Sequence, residues 1–385
     1  MVHPQPLPTG DPHPGWGRTG QVVLTALGVL LVAGCGLVVT AVLLLTVGPR
    51  PFGVGLLAAL LPVVPLLAVY GWLDRYEPEP RGLLVFAFGW GATVATAGAL
   101  LLSLPPTRVV EAAGGDPEVV GAVVVAPVVE EALKGLGLLA ILAVGRRGLD
   151  GLVDGFVYAG LIGVGFAFTE NIVYLGVALL DSGPGGLVGT FLLRGVVSPF
   201  AHPLFTAATG IGLVLASRRH GAARYLMAAG GLSVAVLLHG VWNGMAVGSF
   251  MGFLGTFVVL WVPLFTAFVA VAVVARSREA RMIRDNVALY ARHGWFSPAE
   301  TQMLGSLTAR RAASARARAV GAGRAMHRFQ VTAVRLAHLR QRVHDGTQPG
   351  DVAAREADLL GVLARERPAL GSVVSGGPGP AGLPA

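Results

Sequence analysis

Long apolar stretches, separated by short polar connections, fill most of the first 275 residues of the chain. A helix needs about 20 apolar residues to cross the hydrocarbon core of a bilayer. The pattern therefore predicts an all-α, polytopic membrane protein with about eight transmembrane helices. Their predicted bounds are 21–47, 52–72, 82–104, 119–144, 151–180, 186–216, 224–247 and 250–275.

The amino-acid composition favours the same class of protein. Hydrophobic residues make up 54% of the 385 residues and charged residues 13%, whereas soluble domains have about 45–50% and about 25%. This composition excludes a soluble enzyme, a disordered protein and a disulfide-rich secreted scaffold. We therefore expect a multi-pass protein of the cell membrane. A run of glycines at 155, 160, 163 and 165 predicts close helix packing.

The formal net charge of +8 is unevenly distributed. The first 275 residues carry −1, from twelve basic and thirteen acidic side chains, and residues 276–385 carry +9, from seventeen arginines and eight acids. Basic residues in short connections mark the cytoplasmic side of a membrane protein. With eight spans, the arginines near 75–81, 146–147 and 218–224 lie on one side with both termini, which we predict to be cytoplasmic.

The chain divides into four predicted segments: a cytoplasmic N-terminal segment, a transmembrane domain, a basic helical cytoplasmic domain and a disordered tail. Their bounds are 1–20, 21–275, 276–370 and 371–385. In the third segment, Ser297-Pro298-Ala299-Glu300 is typical of a helix start. Spaced apolar residues predict amphipathic helices near 329–343 and 352–363.

The seventeen arginines of the C-terminal part suggest a partner. Basic residues beside a membrane are attracted to anionic lipid by ~1 kcal/mol each, so contact with the bilayer is the preferred interpretation. Nucleic-acid binding is the weaker interpretation, because the segment has no interleaved aromatic residues and no nucleic-acid motif.

Ionisable side chains inside the predicted spans are the candidate functional residues, because a charge at bilayer depth costs at least ~2.5–3.5 kcal/mol. They are Glu130, Glu131, Lys134, Glu170, His202 and His239, with Asn243 one turn after the last. Lys134 is the only lysine of the chain. Two other residues, Arg194 and Asp154, lie nearer span ends, where snorkelling and helix capping explain them.

These residues occur at similar depths on four different helices. At ~1.5 Å per residue, each lies near the bilayer midplane or slightly to its outer side, which predicts one shared site. Glu130 and Glu131 can both reach Lys134 at helical spacing. The lysine can offset one carboxylate while the other takes a proton from water. A histidine on another helix can hold a metal or stabilise an oxyanion.

Other functions fit the same residues. A Glu–Lys pair can lock two helices together, and a buried histidine often makes only a helix–helix hydrogen bond. A proton- or ion-coupled transporter could use the Glu and His groups to carry ions, although no internal repeat is evident. A non-catalytic protein that grips lipid or a partner helix is a third alternative.

The ordered set Glu130-Glu131-x-x-Lys134, Phe166-x-x-x-Glu170-Asn171, His202 and His239-x-x-x-Asn243 resembles the PrsW family of intramembrane proteases. That family belongs to a wider group with the type II CAAX prenyl endopeptidases and the bacteriocin-processing enzymes. The stretch from Asp74 to Pro80 is similar to the family's cytoplasmic loop, and the resemblance covers about residues 60–248.

The resemblance implies a role for each residue. Glu130 and Glu131 would be the catalytic pair, with one of them activating water. Glu170, His202 and His239 would line the site as metal ligands or polarising groups, and Asn243 would help to stabilise the oxyanion.

The resemblance leaves the cofactor open and suggests a substrate. Two histidines and a carboxylate could bind zinc, but the prenyl endopeptidases have a histidine in place of the Glu170 carboxylate, and a metal-free glutamate protease is the alternative. No His-Glu-x-x-His motif is present. The implied substrate is a membrane-tethered protein of the anti-sigma-factor type.

Overall fold

Helices make up nearly all of the chain that the computed structural model describes, which comprises residues 18–144, 151–247, 250–346 and 351–374. No strand occurs within these ranges, and the all-α prediction is confirmed. The helices of the apolar part are α1 (Arg18–Val47), α2 (Pro49–Leu73), α3 (Arg81–Gly89), α4 (Thr96–Leu102), α5 (Leu104–Ala112), α6 (Pro117–Val120), α7 (Ala126–Val144), α8 (Leu152–Phe191), α9 (Ala201–Ser217), α10 (Ala222–Val247), α11 (Phe250–Thr256) and α12 (Val262–Arg292). Four π-helical segments interrupt them: π1 (Trp90–Ala95), π2 (Gly121–Val125), π3 (Leu192–Val197) and π4 (Phe257–Trp261).

Six helical stretches of the described residues are long and apolar enough to cross a membrane, against eight predicted spans. One of the six, Leu152–Ser217, has 66 residues and contains two of the predicted spans. The predicted span 119–144 falls on α6, π2 and α7, is not among the six, and carries three charged residues. The protein is thus a multi-pass membrane protein, and the count of eight and the side of the termini stay predictions.

The 66-residue stretch is not one straight helix. It is broken at Gly183, whose φ of 63° is a left-handed conformation that glycine adopts readily, and Pro184 follows. The second half returns along the first, since Arg194 reaches Asn171. The returning half is interrupted again at residues 198–200, just before α9 and His202.

The predicted close packing around the glycines of α8 is confirmed. A Cβ atom at Gly163 would lie 2.6 Å from the backbone nitrogen of Pro203, and one at Gly165 would lie 2.0 Å from the carbonyl oxygen of Phe88. Both distances are shorter than any real Cβ contact, so α8 can approach α9 and α3 this closely only without side chains there. The close approach brings His202 next to α8.

The last apolar helix continues without interruption into a C-terminal bundle, which comprises the end of α12 with α13 (Pro298–Leu304), α14 (Leu307–Ala319), α15 (Gly323–His344) and α16 (Val352–Val374). The predicted domain boundary at residue 276 therefore falls inside a helix. Ser297 caps α13, its hydroxyl accepting from the Glu300 backbone while the Glu300 carboxylate accepts from the Ser297 backbone, as predicted. The two predicted amphipathic helices correspond to α15 and α16, whose apolar faces share one core that includes the fully buried Phe329 and Leu363.

Several predictions fall outside the described residues. These are the N-terminal segment up to residue 17, the basic pair Arg146-Arg147, the division at Gly248-Ser249 and the tail from 375 onward. Of the predicted disordered tail, residues 371–374 belong to the end of α16.

Candidate active site

Four helices of the apolar part bring the ionisable residues into one cluster. The contributors are Glu130, Glu131 and Lys134 on α7, Glu170 on α8, His202 on α9 and His239 on α10. The helix α7 follows directly on π2, and Arg194, described below, lies on π3. Such short π segments occur frequently at functional sites.

Lys134 lies at the centre of this cluster, and none of its side chain is exposed. Its Nζ donates to Glu131 Oε1 at 2.8 Å and to Glu130 Oε2 at 3.4 Å, and it lies 3.0 Å from His202 Nδ1. The ammonium also faces the ring of Phe166, 3.8 Å from its centroid. A buried charge is tolerated only when it is well paired, so these contacts explain how the only lysine of the chain can lie inside a membrane helix.

The two adjacent glutamates differ in how far they are engaged. Glu131 is fully buried and accepts from Lys134, from the Thr206 hydroxyl at 3.1 Å and, at 3.1 Å, faces His239 Nδ1. Glu130 has 12% of its side chain exposed. Among the described residues its contacts are made through Oε2 only, to Lys134 at 3.4 Å and to His239 Nε2 at 3.8 Å. Glu130 is therefore the carboxylate that retains capacity for a water molecule.

His202 is held between two charged groups. Its Nε2 lies 2.7 Å from Glu170 Oε2, while its Nδ1 faces Lys134. These contacts are compatible with a neutral ring that donates from Nε2 and accepts at Nδ1. Glu170 is in turn paired with Arg194, whose Nε donates to Asn171 Oδ1 at 2.7 Å.

Arg194 belongs to the cluster, contrary to the expectation for this residue. Snorkelling was expected to explain this residue, but its side chain is directed to Glu170 and is only 20% exposed. No local pattern reveals the pair, because the two residues are 24 positions apart and meet only through the break at Gly183. Thr206 was also missed, although it lies one helical turn after His202 and could have been found by that spacing.

The remaining predicted residues have structural contacts. Asn243 donates its side-chain amide to the carbonyl oxygen of Ala122 in π2, at 2.9 Å, and so ties α10 to the segment preceding α7. Asp154 accepts from the Gly151 backbone at 2.8 Å and caps α8, as expected. The ring of Phe205 stacks on His239 with 5.0 Å between centroids and covers one side of that imidazole.

Exposure varies across the cluster and indicates its open side. The side chains of Glu131, Lys134 and His239 are at most 1% exposed. By contrast, the exposed fractions are 12% for Glu130 and 20% for Glu170. The cluster is therefore open on the side of Glu130 and Glu170.

A trio of possible metal ligands lies within the cluster. Glu130, His202 and His239 each offer one ligand atom, and these atoms lie within 4.8 Å of one another. The family resemblance implied Glu170 in place of Glu130 as the carboxylate ligand. Two histidines and one carboxylate are a donor set that catalytic zinc sites use, and Glu131 beside His239 Nδ1 would orient that ring, as carboxylates commonly do for metal-bound histidines.

Comparisons with known proteins identify the chain. The model of a family described as PrsW family intramembrane metalloprotease matches residues 79–274, about half of the chain and all of the residues in the cluster. No curated protein and no solved structure matches significantly. The match does not support the transporter alternative. It shows that the chain is an enzyme of the protease class. The chain belongs to the PrsW family of intramembrane metalloproteases.

Proposed function

We propose that this protease hydrolyses a peptide bond in a membrane-tethered protein, with Glu130 as the carboxylate that acts on water. The observation that carries this assignment is the difference between the two adjacent glutamates. Glu131 accepts at both oxygens and is fully buried, whereas Glu130 is partly exposed and engages only Oε2 among the described residues. A general base must reach a water molecule, and only Glu130 of the pair has both access and an uncommitted oxygen.

The neighbouring residues hold this carboxylate and the two imidazoles in position. Lys134 offsets the negative charge of the glutamate pair, and Glu131 fixes the ring of His239 through Nδ1. Glu170 fixes the ring of His202 in the same way through Nε2. With each imidazole held by a carboxylate, both histidines can present a fixed ring to the carbonyl group that is attacked, and the bound geometry costs little reorganisation.

Glu130, His202 and His239 are also the residues that would hold a divalent metal such as zinc. When bound, such an ion polarises the carbonyl group and lowers the pKa of water. Both ring nitrogens of His202 are engaged, one with Lys134 and one with Glu170. Metal binding at this histidine therefore requires one of these two contacts to give way.

The substrate class follows from where the cluster lies and how it opens. The ionisable residues lie on helices of an apolar membrane domain, so a scissile bond must reach them within or beside the bilayer. By the family resemblance, a single-span protein of the anti-sigma-factor type is the proposed substrate. The partly exposed side chains of Glu130 and Glu170 mark the side from which it would enter.

Cleavage in reconstituted liposomes tests this proposal. The full chain is incorporated together with a panel of single-span test proteins, and new N-termini are identified by mass spectrometry. The wild-type protein is expected to produce new N-termini within or next to the spans of the test proteins. Glu130→Gln is expected to cleave at least ~100-fold more slowly, which is the range of rate reduction that loss of a general base gives.

A matched control separates this result from general damage. Glu111→Gln changes an exposed glutamate of the same domain and should leave the rate unchanged. Equal cleavage by wild type and Glu130→Gln would refute the role of Glu130.

A further inference from the structure

We propose a second metal site, remote from the membrane cluster, in which Glu77, Glu279 and His338 bind a divalent cation of the zinc type. The three residues come from the connection between α2 and α3, from the middle of α12 and from α15. Each supplies one ligand atom, and these atoms lie within 4.8 Å of one another. This site does not depend on the proposed catalytic roles.

The distances between the ligand atoms suit one ion. His338 Nε2 lies 2.8 Å from Glu77 Oε2 and 4.0 Å from Glu279 Oε1. Ligand atoms at 2.0–2.2 Å from a tetrahedral zinc ion are about 3.3–3.6 Å from each other. The two distances lie on either side of that value, so small side-chain rotations would place all three atoms around one cation.

The three side chains are largely withdrawn from water. Their exposed fractions are 9% for Glu77, 8% for Glu279 and 10% for His338. Glu279 Oε2 is buried and has no hydrogen-bond partner among the described residues. Leaving a carboxylate oxygen in that state is costly, and a bound cation would remove the cost.

Two arginines, Arg276 and Arg310, interact electrostatically with Glu279. Their guanidinium groups also donate to backbone carbonyl oxygens, that of Arg276 to Trp72 and that of Arg310 to Leu304 and Tyr76. Two ionised carboxylates and one neutral imidazole would themselves supply a formal charge of −2 to a bound cation. The imidazole favours zinc and similar transition metals over magnesium and calcium, which prefer oxygen ligands.

An ion can reach the site from a cavity. Glu279 and His338 line an open cavity of about 430 Å³, together with Asp154 and Ser217 from the ends of α8 and α9. The cavity provides a route for the ion and room for the water molecules that complete its coordination. The proposed site therefore lies at the junction of the membrane helices and the C-terminal bundle.

The position of the site suggests what an ion would do there. It would join the connection carrying Glu77, the middle of α12 and, through His338, the C-terminal bundle. The same connection is tied to α8, since the Tyr158 hydroxyl donates to Glu79 Oε2 at 2.7 Å, and α8 carries Glu170. A bound ion would thus hold the C-terminal bundle against the helix that contributes to the membrane cluster.

Zinc binding to the full chain in detergent tests the site. Protein stripped with a chelator is dialysed against micromolar zinc, and bound zinc per chain is measured by mass spectrometry. His338→Gln and, separately, Glu279→Gln are expected to bind one zinc ion fewer than wild type. Zinc should also raise the melting temperature of wild type by more than that of either variant.

The control is His327→Gln, which changes an exposed histidine on the same helix and should bind as much zinc as wild type. Melting curves without zinc show whether each variant is folded, and a variant that is not folded is replaced by the other. The same zinc content in wild type, His338→Gln and Glu279→Gln would overturn the proposal.

Discussion

Glu131 Oε1 lies 3.1 Å from His239 Nδ1 although 108 positions separate the two residues. This contact joins α7 to α10 inside the membrane domain, and neither side chain is more than 1% exposed. The same carboxylate holds Lys134. Glu131 is therefore central to the assembly of the cluster, while its neighbour Glu130 is the carboxylate that we propose to act on water.

Substitution of the two glutamates should accordingly have different effects on stability and activity. Glu131→Gln replaces an oxygen that accepts hydrogen bonds by an amide nitrogen that cannot, and it leaves Lys134 less well compensated. Breaking a buried ion pair costs about 3–5 kcal/mol, so this variant should unfold at a clearly lower temperature. Glu130→Gln should melt close to wild type and yet be inactive. Thermal unfolding in detergent measures both, and similar melting temperatures for the two variants would contradict the division of roles.

Arg194 should act as a positioning residue through Glu170. Arg194→Ala leaves the Glu170 carboxylate without its guanidinium partner, so that the carboxylate no longer holds His202 in one orientation. We expect kcat to fall about 10- to 100-fold with little change in KM, as is typical when a group that orients an active-site histidine through a carboxylate is lost. Arg194→Lys, which keeps the charge but not the forked geometry, should recover part of the loss. An unchanged kcat for Arg194→Ala would exclude this role.

Gly163→Ala tests the close approach of α8 and α9. The new methyl group would lie 2.6 Å from the Pro203 nitrogen, so α9 must move away and carry His202 with it. Both activity and melting temperature should fall. Gly189→Ala is the matched control, because it lies in the returning half of α8 with nothing within 4 Å of its Cβ position, and alanine there should be neutral or slightly stabilising. A loss of similar size in both variants would show that the contact with α9 is not the cause.

The metal ligands of the membrane cluster can be told apart by zinc content. If Glu130, His202 and His239 hold the ion, Glu130→Gln and His239→Gln should each bind one zinc ion fewer than wild type. Glu170→Gln should retain the full zinc content, because Glu170 is engaged by Arg194 and by His202. The reverse pattern would support the ligand set expected from the sequence, with Glu170 instead of Glu130. Equal zinc content in all four proteins would favour a metal-free glutamate protease.

Asp74, in the connection between α2 and α3, should make the stability of the protein depend on pH. Burial raises the pKa of Asp74 to about 6. The hydrogen bond from the Glu79 backbone lowers this pKa, and the nearby charge of Glu77 raises it further. A folded-state pKa above the unfolded value of about 3.9 means that the folded protein binds this proton more tightly. The resulting stabilisation is present below pH 4 and is lost as pH rises to about 6. In the presence of a chelator, the melting temperature of Asp74→Asn relative to wild type should therefore increase between pH 4 and pH 6.5, and a constant difference would contradict the prediction.

Much of the membrane architecture could be predicted because it depends on local properties of the chain. The length of an apolar stretch determines whether a helix can span the bilayer, and the cost of burying charge singles out residues such as Glu130 and His239. Helical spacing was enough to pair Lys134 with both glutamates. The capping of α13 by Ser297 is similarly local.

The different hydrogen bonding of the two glutamates depends on contacts between distant segments of the chain. Thr206 and His239 occupy the oxygens of Glu131 and leave Glu130 less engaged. The helices α9 and α10 bring these two residues to α7. The pairing of Arg194 with Glu170 depends on the break at Gly183.

The residues of the chain by themselves thus determined a multi-pass helical protein with charged groups at one depth, because hydropathy and helical period act over a few turns. Only the tertiary structure decided which oxygen, nitrogen and guanidinium groups meet, because that depends on how separate helices pack.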